Sequence, residues 1–298
     1  MRENNLKYGD KIIYMEGVIV EVHDGCVAID LKGRLGYLKV PMRMLITDYE
    51  IKVGQEVGFN MSFVEQLGSQ PNYKYISNLM TRNKKILNEM KIALSTAAGV
   101  HHKYDKRFNL AGDFTFRIVT DSMPSNELMV SHGGYDNGDV NKDINCMFPI
   151  DRLHELATEG CIGSVAPVHI GFMGGGGNQQ KFKEETGPKI ARILKEEGVD
   201  GVLLTAGWGT CHRSAVLVQR AIEEAGIPTI IIAALPPVAR QTGTPRAVAP
   251  RVPMGANAGE PNNRKMQYNI VKDTLIQLHD IQIPDKIVPL PYEYLARV

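Results

Sequence analysis

The sequence predicts an α/β fold, in which a small all-β barrel precedes a doubly wound, mostly parallel sheet. Three observations lead to this prediction. Short apolar stretches separated by glycine fill residues 1–66, a polar segment follows over residues 67–90, and apolar strands alternate with amphipathic helices over residues 91–298. The 298 residues suffice for about two domains of roughly 100–200 residues each. We therefore predict a barrel, a linker and an α/β domain, in that order.

Five short strands with turns between them make up the predicted barrel, and they begin near Lys11, Gly17, Cys26, Gly36 and Gly54. Their pattern resembles the S1 type of OB-fold barrel. Such barrels often bind single-stranded nucleic acid through basic grooves. Residues 1–66, however, hold 8 Lys and Arg against 10 Asp and Glu, a net charge of −2. We therefore expect a docking or structural role for the barrel and no nucleic-acid partner.

The overall composition is that of an ordinary globular protein. The 34 Lys and Arg against 33 Asp and Glu give a formal charge of +1, and 43% of the residues are hydrophobic. This balance excludes a disordered tail and a non-specific nucleic-acid binder. The first residues lack the apolar segment of a signal peptide, and the longest apolar run, residues 230–235, is too short to span a membrane. We expect a cytoplasmic protein with no membrane partner.

Strands and helices alternate in the second domain. The sequence predicts strands over residues 91–99, 161–172, 199–206 and 227–234 and helices over residues 181–198, 212–226 and 263–280. Alternation of this kind is typical of parallel strands with helices on both faces. Because ligands bind beyond the carboxyl ends of such strands, we expect the loops after residues 95, 172, 206 and 234 to converge on one crevice.

The segment after the third of these strands has the strongest chemical signal. Its apolar strand ends at Gly207, and a helix is predicted to begin near His212, which places Cys211 at a helix N-terminus. The helix dipole there favours a thiolate, and His212 and Arg213 can add positive charge. A small buried cysteine that closes a turn is the alternative interpretation. Trp208, the only tryptophan, lies between two glycines where a small residue is expected.

Further polar residues are candidates for the crevice. His132 and Asp136 lie in Ser131-His-Gly-Gly-Tyr-Asp and can act as acid, base or substrate hydrogen-bond groups, although Asp136-Asn-Gly also fits an ordinary turn. His212 is a third candidate for contact with substrate. Arginines in a Pro- and Gly-rich segment can clamp a carboxylate, and solvated surface arginines fit that segment equally well. They are Arg240, Arg246 and Arg251, of which we single out Arg246.

Other patterns do not predict a bound cofactor. The glycine run of residues 174–177 lacks the lysine and the hydroxyl residue of a P-loop, as well as the spacing of a dinucleotide site. The histidines lack metalloprotease spacing, so we predict no metal site. The cysteines are too scattered for a zinc knuckle and too few for a disulfide framework: Cys26, Cys146, Cys161 and Cys211.

Residues 91–298 resemble the selenocysteine-containing subunits of the D-proline, glycine, sarcosine and betaine reductases. The motifs that carry the resemblance are Thr96-Ala-Ala-Gly-Val, Asp105-Lys-Arg-Phe-Asn-Leu-Ala-Gly-Asp-Phe, Ser131-His-Gly-Gly-Tyr-Asp-Asn, Asn141-Lys-Asp-Ile-Asn-Cys-Met-Phe-Pro, Gly171-Phe-Met-Gly-Gly-Gly-Gly-Asn, Ala234-Leu-Pro-Pro-Val, Pro245-Arg-Ala-Val-Ala-Pro and Pro253-Met-Gly-Ala-Asn-Ala-Gly-Glu-Pro. The glycine branch carries another Cys three residues after Cys211, where this chain has Ser214, so the resemblance favours the D-proline branch. No motif of the family lies in residues 1–66.

The resemblance implies that position 208 holds a catalytic selenium. In this family selenocysteine precedes Gly-Thr-Cys, and here that residue is Trp208. The stop codon that is recoded for selenocysteine differs from the tryptophan codon by one base, so the letter at this position can stand for selenocysteine. A genuine Trp in a paralogue that lost the selenol is the alternative, and the codon distinguishes the two.

The activity that the resemblance implies is the reductive cleavage of the D-proline ring to 5-aminovalerate. The substrate is held as an adduct of a pyruvoyl group on a partner subunit and is attacked at its α-carbon by selenium. Cys211 then resolves the adduct as a selenosulfide, which an electron-donor protein reopens. This chain needs no tightly bound cofactor of its own and works in an oligomeric complex. The alternatives are a non-catalytic or Cys-only paralogue with a binding or regulatory role, and a component like those of glycine or betaine reductase.

Overall fold

The computed structural model divides the chain into two compact units, Met1–Ile76 and Ser77–Val298. The residues that it describes are 11–23, 25–33, 36–62, 64, 86–176, 178–281 and 285–295. The predicted linker of residues 67–90 lies outside the described residues up to residue 85. Its end contains a single 3₁₀ turn, Leu87–Glu89. The predicted boundaries of barrel, linker and α/β domain therefore stay predictions.

The first unit contains an antiparallel sheet of four strands, namely β1 Ile13–Val22, β2 Cys26–Leu31, β3 Gly36–Pro41 and β4 Glu56–Met61. Strand β1 pairs with β2 and β4, and β2 pairs with β3. The buried side chains between them are apolar: Ile19, Val27, Ile29 and Leu31. The strands predicted near Lys11 and Gly17 are one continuous strand, so the described sheet has four strands where five were expected.

Gly17 explains this difference. It lies inside β1, where a Cβ would come 2.3 Å from Ile29 Cγ2 and 2.8 Å from the Asp30 carbonyl oxygen. The glycine therefore marks a close approach of two strands, whereas the sequence suggested a turn. In the described residues β3 and β4 form the edges of this sheet, and its closure into a barrel stays a prediction.

Ten more strands follow in the second unit. They are β5 Lys91–Ala97, β6 Val100–His102, β7 Phe116–Thr120, β8 Leu128–Val130, β9 Ser164–Val165, β10 Val168–Phe172, β11 Gly201–Ala206, β12 Thr229–Ile232, β13 Arg246–Arg251 and β14 Lys286–Glu293. Eight of them form one sheet in the order β14-β13-β12-β11-β5-β10-β7, with β9 on β5. Its pairs are parallel except β10 with β7. Strands β6 and β8 form a separate antiparallel pair.

Helices cover both faces of the large sheet. They are α1 Gly138–Lys142, α2 Ile150–Thr158, α3 Gln179–Lys181, which continues through a π-helical turn into α4 Gly187–Glu196, then α5 Gly209–Glu224, α6 Pro236–Thr242 and α7 Arg264–Asp280. Because side chains of a strand alternate between faces, Leu203 packs with α2 and α7, whereas Val202 and Leu204 pack with α4 and α5. The α/β prediction is confirmed, with a mixed and mostly parallel sheet. No helix in the described part of the chain is both long and apolar enough to cross a bilayer.

Two elements differ from their predicted bounds for local reasons. The strand predicted over residues 161–172 is interrupted between β9 and β10, because Pro167 has no backbone N–H for the ladder. Helix α5 begins at Gly209, with the extended Trp208 (φ −140°, ψ −177°) as its N-cap. Cys211 is therefore the third residue of the helix, where the sequence placed it just before the helix.

Candidate active site

Polar side chains form hydrogen bonds that connect the carboxyl ends of the central parallel strands. Thr96 Oγ1 on β5 lies 2.7 Å from Thr205 Oγ1 on β11. Asn257 Nδ2 donates to the Ala206 carbonyl at 3.0 Å and to the Ile232 carbonyl at 2.9 Å, so it joins the last residues of β11 and β12. The loops that follow these strands therefore meet at one edge of the sheet, where the sequence predicts the crevice.

Cys211 contacts a histidine at this edge. His132 Nε2 lies 2.9 Å from Cys211 Sγ, although 79 residues separate them in the chain. Cys211 is fully buried and His132 is 5% exposed. The fold thus brings together two of the residues that the sequence singled out.

A backbone contact determines where the His132 ring carries its proton. The Gly134 N–H donates to His132 Nδ1 at 2.9 Å, so the lone pair of the neutral ring lies on Nδ1 and its proton on Nε2. Burial lowers the pKa of His132 to about 4, and contact with the Met173 backbone opposes this shift only in part. The ring is therefore neutral at pH 7 and donates Nε2–H to Cys211 Sγ. In this arrangement it stabilises a thiolate by hydrogen bonding and does not take the proton from the thiol.

Burial decides the ionisation of Cys211, and the predicted thiolate is wrong for the free subunit. Burial raises the pKa of the thiol to about 11, and hydrogen bonds with the Trp208 backbone and the Thr210 side chain oppose this increase only in part. The thiol donates to the Met173 carbonyl at 3.4 Å. Cys211 is protonated at pH 7 because the loss of solvation outweighs the helix dipole.

We expect alkylation to label Cys211 more slowly than Cys26 and Cys161 at pH 7. Cys211 is buried and protonated, whereas the other two are partly exposed. Its rate should rise steeply between pH 7 and about pH 10 as the thiolate fraction grows. Iodoacetamide labelling of the folded protein at both pH values, followed by peptide mapping, measures these rates, with the buried Cys146 as a matched control. Fast labelling of Cys211 at pH 7 would contradict the protonated state.

His212 does not supply the positive charge predicted beside Cys211. Its Nδ1–H donates to the Trp208 carbonyl at 2.7 Å, and its Nε2 accepts the Leu235 N–H at 3.2 Å. Because one nitrogen donates and the other accepts, the ring is neutral, and burial also lowers its pKa. The predicted contact of His212 with substrate is corrected as well, since the residue is fully buried. It ties the loop after β12 to the first turn of α5.

Trp208 is 45% exposed and packs over a glycine. A Cβ on Gly134 would come 2.7 Å from Trp208 Cε3, so the indole covers the turn that follows His132. The Trp208 side chain makes no capping hydrogen bond to the helix that it precedes. The exposed position 208 and the buried Cys211 therefore lie at the same end of α5, with Gly209 and Thr210 between them.

The carboxylate clamp predicted at Arg246 is wrong. Arg246 is 1% exposed and forms an ion pair with Glu223, and its Nε donates to the Ile281 carbonyl at 2.9 Å. It is the first residue of β13, so it lies at the amino end of a parallel strand, away from the crevice. Of the other two arginines, Arg240 is exposed on α6 and Arg251 is exposed at the carboxyl end of β13.

Asp136 has the role of an ordinary turn residue in the structure. Its Oδ1 accepts the Gly138 N–H at 2.8 Å at the start of α1, and its side chain is exposed. A Cβ on Gly255 would come 2.7 Å from the Asp136 carbonyl oxygen, so the turn packs against the loop after β13. The turn interpretation therefore accounts for the contacts of Asp136 without a contact to substrate.

The backbone of the glycine run after β10 packs against Cys211. Gly174 has φ +69°, and a Cβ there would lie 3.0 Å from Ala97 Cβ and 3.1 Å from Cys211 Cα. Ser214 Oγ donates to the Gly174 carbonyl at 2.7 Å and holds the run in place. Met173 and Gly174 are site residues that the sequence analysis missed. The glycine run itself was the signal, because glycine permits such a close approach of backbone to a neighbouring residue.

The chain matches the family profile described as glycine/sarcosine/betaine reductase selenoprotein B over residues 77–207. The match ends one residue before Trp208. No solved structure matches the chain significantly.

Several characterised proteins are similar to this chain. It is 73% identical over 214 residues to the D-proline reductase subunit gamma of Acetoanaerobium sticklandii, an alignment that covers 72% of this chain and 88% of that protein. It is 32% identical over 185 residues to the sarcosine reductase complex component B subunit beta of Peptoclostridium acidaminophilum. It is 33% identical over 186 residues to the glycine reductase complex component B subunit gamma of Carboxydothermus hydrogenoformans. The last two alignments each cover 59% of this chain and 41% of the relative.

Proposed function

Because the chain belongs to the selenoprotein B family of the glycine, sarcosine, betaine and D-proline reductases, we propose that it is the redox-active subunit of a D-proline reductase. The observation that carries this proposal is Cys211 in the first turn of α5, three residues after the exposed position 208 and 2.9 Å from His132 Nε2. Identity of 73% to a D-proline reductase subunit, against 32% and 33% to the sarcosine and glycine relatives, favours D-proline as the substrate.

The proposed reaction opens the D-proline ring to 5-aminovalerate and consumes two electrons and two protons. A selenol at position 208 would supply the nucleophile that bonds to the α-carbon while the ring C–N bond breaks, and a pyruvoyl group on a partner subunit would hold the substrate amine. Attack of the Cys211 thiolate on selenium would then break the selenium–carbon bond, the carbon would take up a proton, and the selenosulfide left behind would carry the two-electron oxidation. An electron-donor protein then returns two electrons to this chain through thiol chemistry. The subunit works in an oligomeric complex, and we place that complex in the cytoplasm because its thiol and selenol need a reducing compartment.

The surroundings of position 208 fit a selenol. The position is the N-cap of α5, where the helix dipole and free N–H groups stabilise an anion. Its exposure leaves it accessible to a substrate that a partner subunit presents. Gly209 and Thr210 separate it from Cys211, so a bond between the two side chains closes a short ring. A tryptophan side chain can neither attack carbon nor form that bond.

His132 prepares Cys211 for its part in this reaction. Cys211 must react as a thiolate when it resolves the selenium–carbon adduct, and its pKa of about 11 opposes ionisation. The Nε2–H of His132 points at Sγ, and this hydrogen bond strengthens as the sulfur becomes negatively charged. The Met173 carbonyl accepts from the thiol and favours the protonated resting form.

Reconstitution of the complex tests the proposed function. The native chain is combined with its pyruvoyl-bearing partner and a small dithiol as the reductant, and 5-aminovalerate formed from D-proline is measured. Glycine, sarcosine and betaine serve as parallel substrates, and we expect turnover only of D-proline. Turnover of glycine or betaine would favour the alternative reductase. No turnover of any substrate by selenium-containing protein would favour a non-catalytic paralogue.

Replacing His132 is expected to slow turnover while the subunit stays folded. In His132→Ala the sulfur loses its donor, and we expect kcat for D-proline to fall about 10- to 100-fold, the factor for one hydrogen bond to a charged group. His132→Gln keeps an N–H donor and should retain more activity. The control is His154→Ala, because His154 is a half-exposed residue of α2. A kcat for His132→Ala within about twofold of the unsubstituted complex would contradict this role.

A further inference from the structure

A groove beside the crevice combines apolar walls with one arginine. It has a volume of about 630 Å³ and lies where β12 and β13 end. Pro236, Pro250 and Pro253 contribute to its walls, together with the ring of Tyr294, and Arg251 supplies its charge. The groove is therefore located at the same edge of the sheet as Cys211, because parallel strands end there together.

The Arg251 guanidinium is available to a ligand. Arg251 is the last residue of β13 and is exposed, and its carbonyl accepts the Tyr294 N–H at 2.8 Å. Glu293 is its neighbour in register on β14. Even so, no carboxylate oxygen of a described residue lies within 4.0 Å of the Arg251 side-chain nitrogens. A guanidinium that forms no ion pair with another described residue and lies beside apolar walls suits an anionic ligand.

The walls of the groove suit an aliphatic ligand. The Tyr294 hydroxyl donates to Asp139 Oδ2 at 2.7 Å, which raises the pKa of Tyr294 to about 12 and leaves its ring as a fixed apolar surface. The prolines have no backbone N–H to offer to a ligand. Sugars and nucleotides require many polar partners, whereas a small ring with one carboxylate requires an apolar surface and one cation.

Contacts connect this groove to the residues around position 208. Leu235 lies in the chain between Ala234 and Pro236, which both line the groove. Its N–H donates to His212 Nε2 at 3.2 Å. His212 in turn donates to the Trp208 carbonyl at 2.7 Å. Gly255 follows the other wall and packs on Tyr135, since a Cβ there would come 2.9 Å from Tyr135 Cδ2. Chain neighbours of the lining residues therefore contact the first turn of α5 and the turn that carries the histidine partner of Cys211.

We propose that this groove binds the carboxylate of the substrate and that Arg251 is the recognising group. The inference rests on the proposed function and adds to it the residue that selects a small amphipathic carboxylate. A cyclic amino acid whose amine is held by the pyruvoyl group of the partner still presents an aliphatic ring and one carboxylate, which match the apolar walls and the guanidinium. Arg246, five residues earlier in the same strand, cannot take this role because it is buried in an ion pair.

Steady-state kinetics of the reconstituted complex test the inference. Arg251→Met removes the charge and keeps an apolar stem. We expect it to raise KM for D-proline about 10- to 100-fold, with kcat at saturation changed less than about twofold. Arg251→Lys keeps the charge and should give an intermediate KM. Arg240→Met is the matched control, because Arg240 is exposed on α6 outside the groove. Thermal unfolding of each variant verifies that it is folded.

Three outcomes would overturn the inference. They are a KM for Arg251→Met within about twofold of the unsubstituted value, an equal increase of KM in Arg240→Met, and a loss confined to kcat. The last of these would indicate a role of Arg251 in chemistry or assembly. Absence of D-proline turnover by the unsubstituted complex would refute the proposed function, a result distinct from the other three.

Discussion

Protein isolated from its native host is expected to carry one selenium atom, at position 208. The residue there is exposed at the N-cap of α5, two residues after the end of a buried parallel strand and three residues before Cys211. This place suits a nucleophile that meets a substrate held by a partner, and an indole has no such reactivity. Intact mass and elemental analysis of the native protein measure the selenium. A tryptophan residue mass without selenium in active protein would contradict the expectation.

Two recombinant forms that differ only at position 208 are expected to differ in activity. A chain with a genuine tryptophan at position 208 should have a kcat for D-proline at least about 1,000-fold lower than the selenium-containing chain. The reason is that no nucleophile remains at the exposed position 208. Trp208→Cys should restore measurable turnover, since a thiolate at a helix N-terminus can attack and leave, although less well than a selenolate. Comparison of the two forms in the reconstituted complex, with equal folding verified by thermal unfolding, separates chemistry from stability.

Cys211→Ser is expected to abolish multiple turnover. Without the Cys211 thiol, the selenium–carbon adduct at position 208 has no resolving partner in its own helix turn, and serine cannot form a bond to selenium or sulfur that thiols reopen. We expect steady-state kcat to fall at least about 1,000-fold and no burst of free 5-aminovalerate to appear, because the product stays bonded to selenium until a thiol attacks that selenium. Rapid-quench measurement of 5-aminovalerate over the first turnover, with the intact mass of the subunit, detects product that stays bonded to the protein.

Cys161→Ser is the matched control for this experiment. Cys161 is partly exposed and lies just after α2. In the described structure it has no hydrogen bond with position 208 or Cys211. Its substitution should leave both the first turnover and the steady-state rate of 5-aminovalerate formation unchanged within about twofold. Steady turnover by Cys211→Ser near the unsubstituted rate would show that the resolving thiol comes from another protein.

Strand direction explains which arginine the sequence could not identify. Strands β11 and β12 were predicted because they are continuous apolar runs, as strands buried on both faces are. Strand β14 was missed because Pro289 and Pro291 interrupt its pattern, although an edge strand tolerates proline. Its neighbour β13 was missed as well. The sequence therefore did not indicate that Arg246 is the first residue of a strand and Arg251 the last residue of the same strand.

Burial explains why the ionisation of Cys211 was predicted wrongly. The local sequence indicates a cysteine near a helix N-terminus, and that part of the prediction is close to the structure. The same sequence does not show that Gly174, 37 positions earlier in the chain, packs against Cys211 and that the thiol is fully buried. Loss of solvation is the larger effect, so the pKa rises where the helix dipole by itself would lower it.

The sequence by itself determined the alternation of strands and helices in the second unit, the family, and the two-residue spacer between position 208 and Cys211. These are properties of residues that are neighbours in the chain. Only the tertiary structure decided the protonation of Cys211, its pairing with His132 and the arginine at the open end of the sheet. Solvation, contact between distant segments and the direction of a strand arise only when residues far apart in sequence pack together.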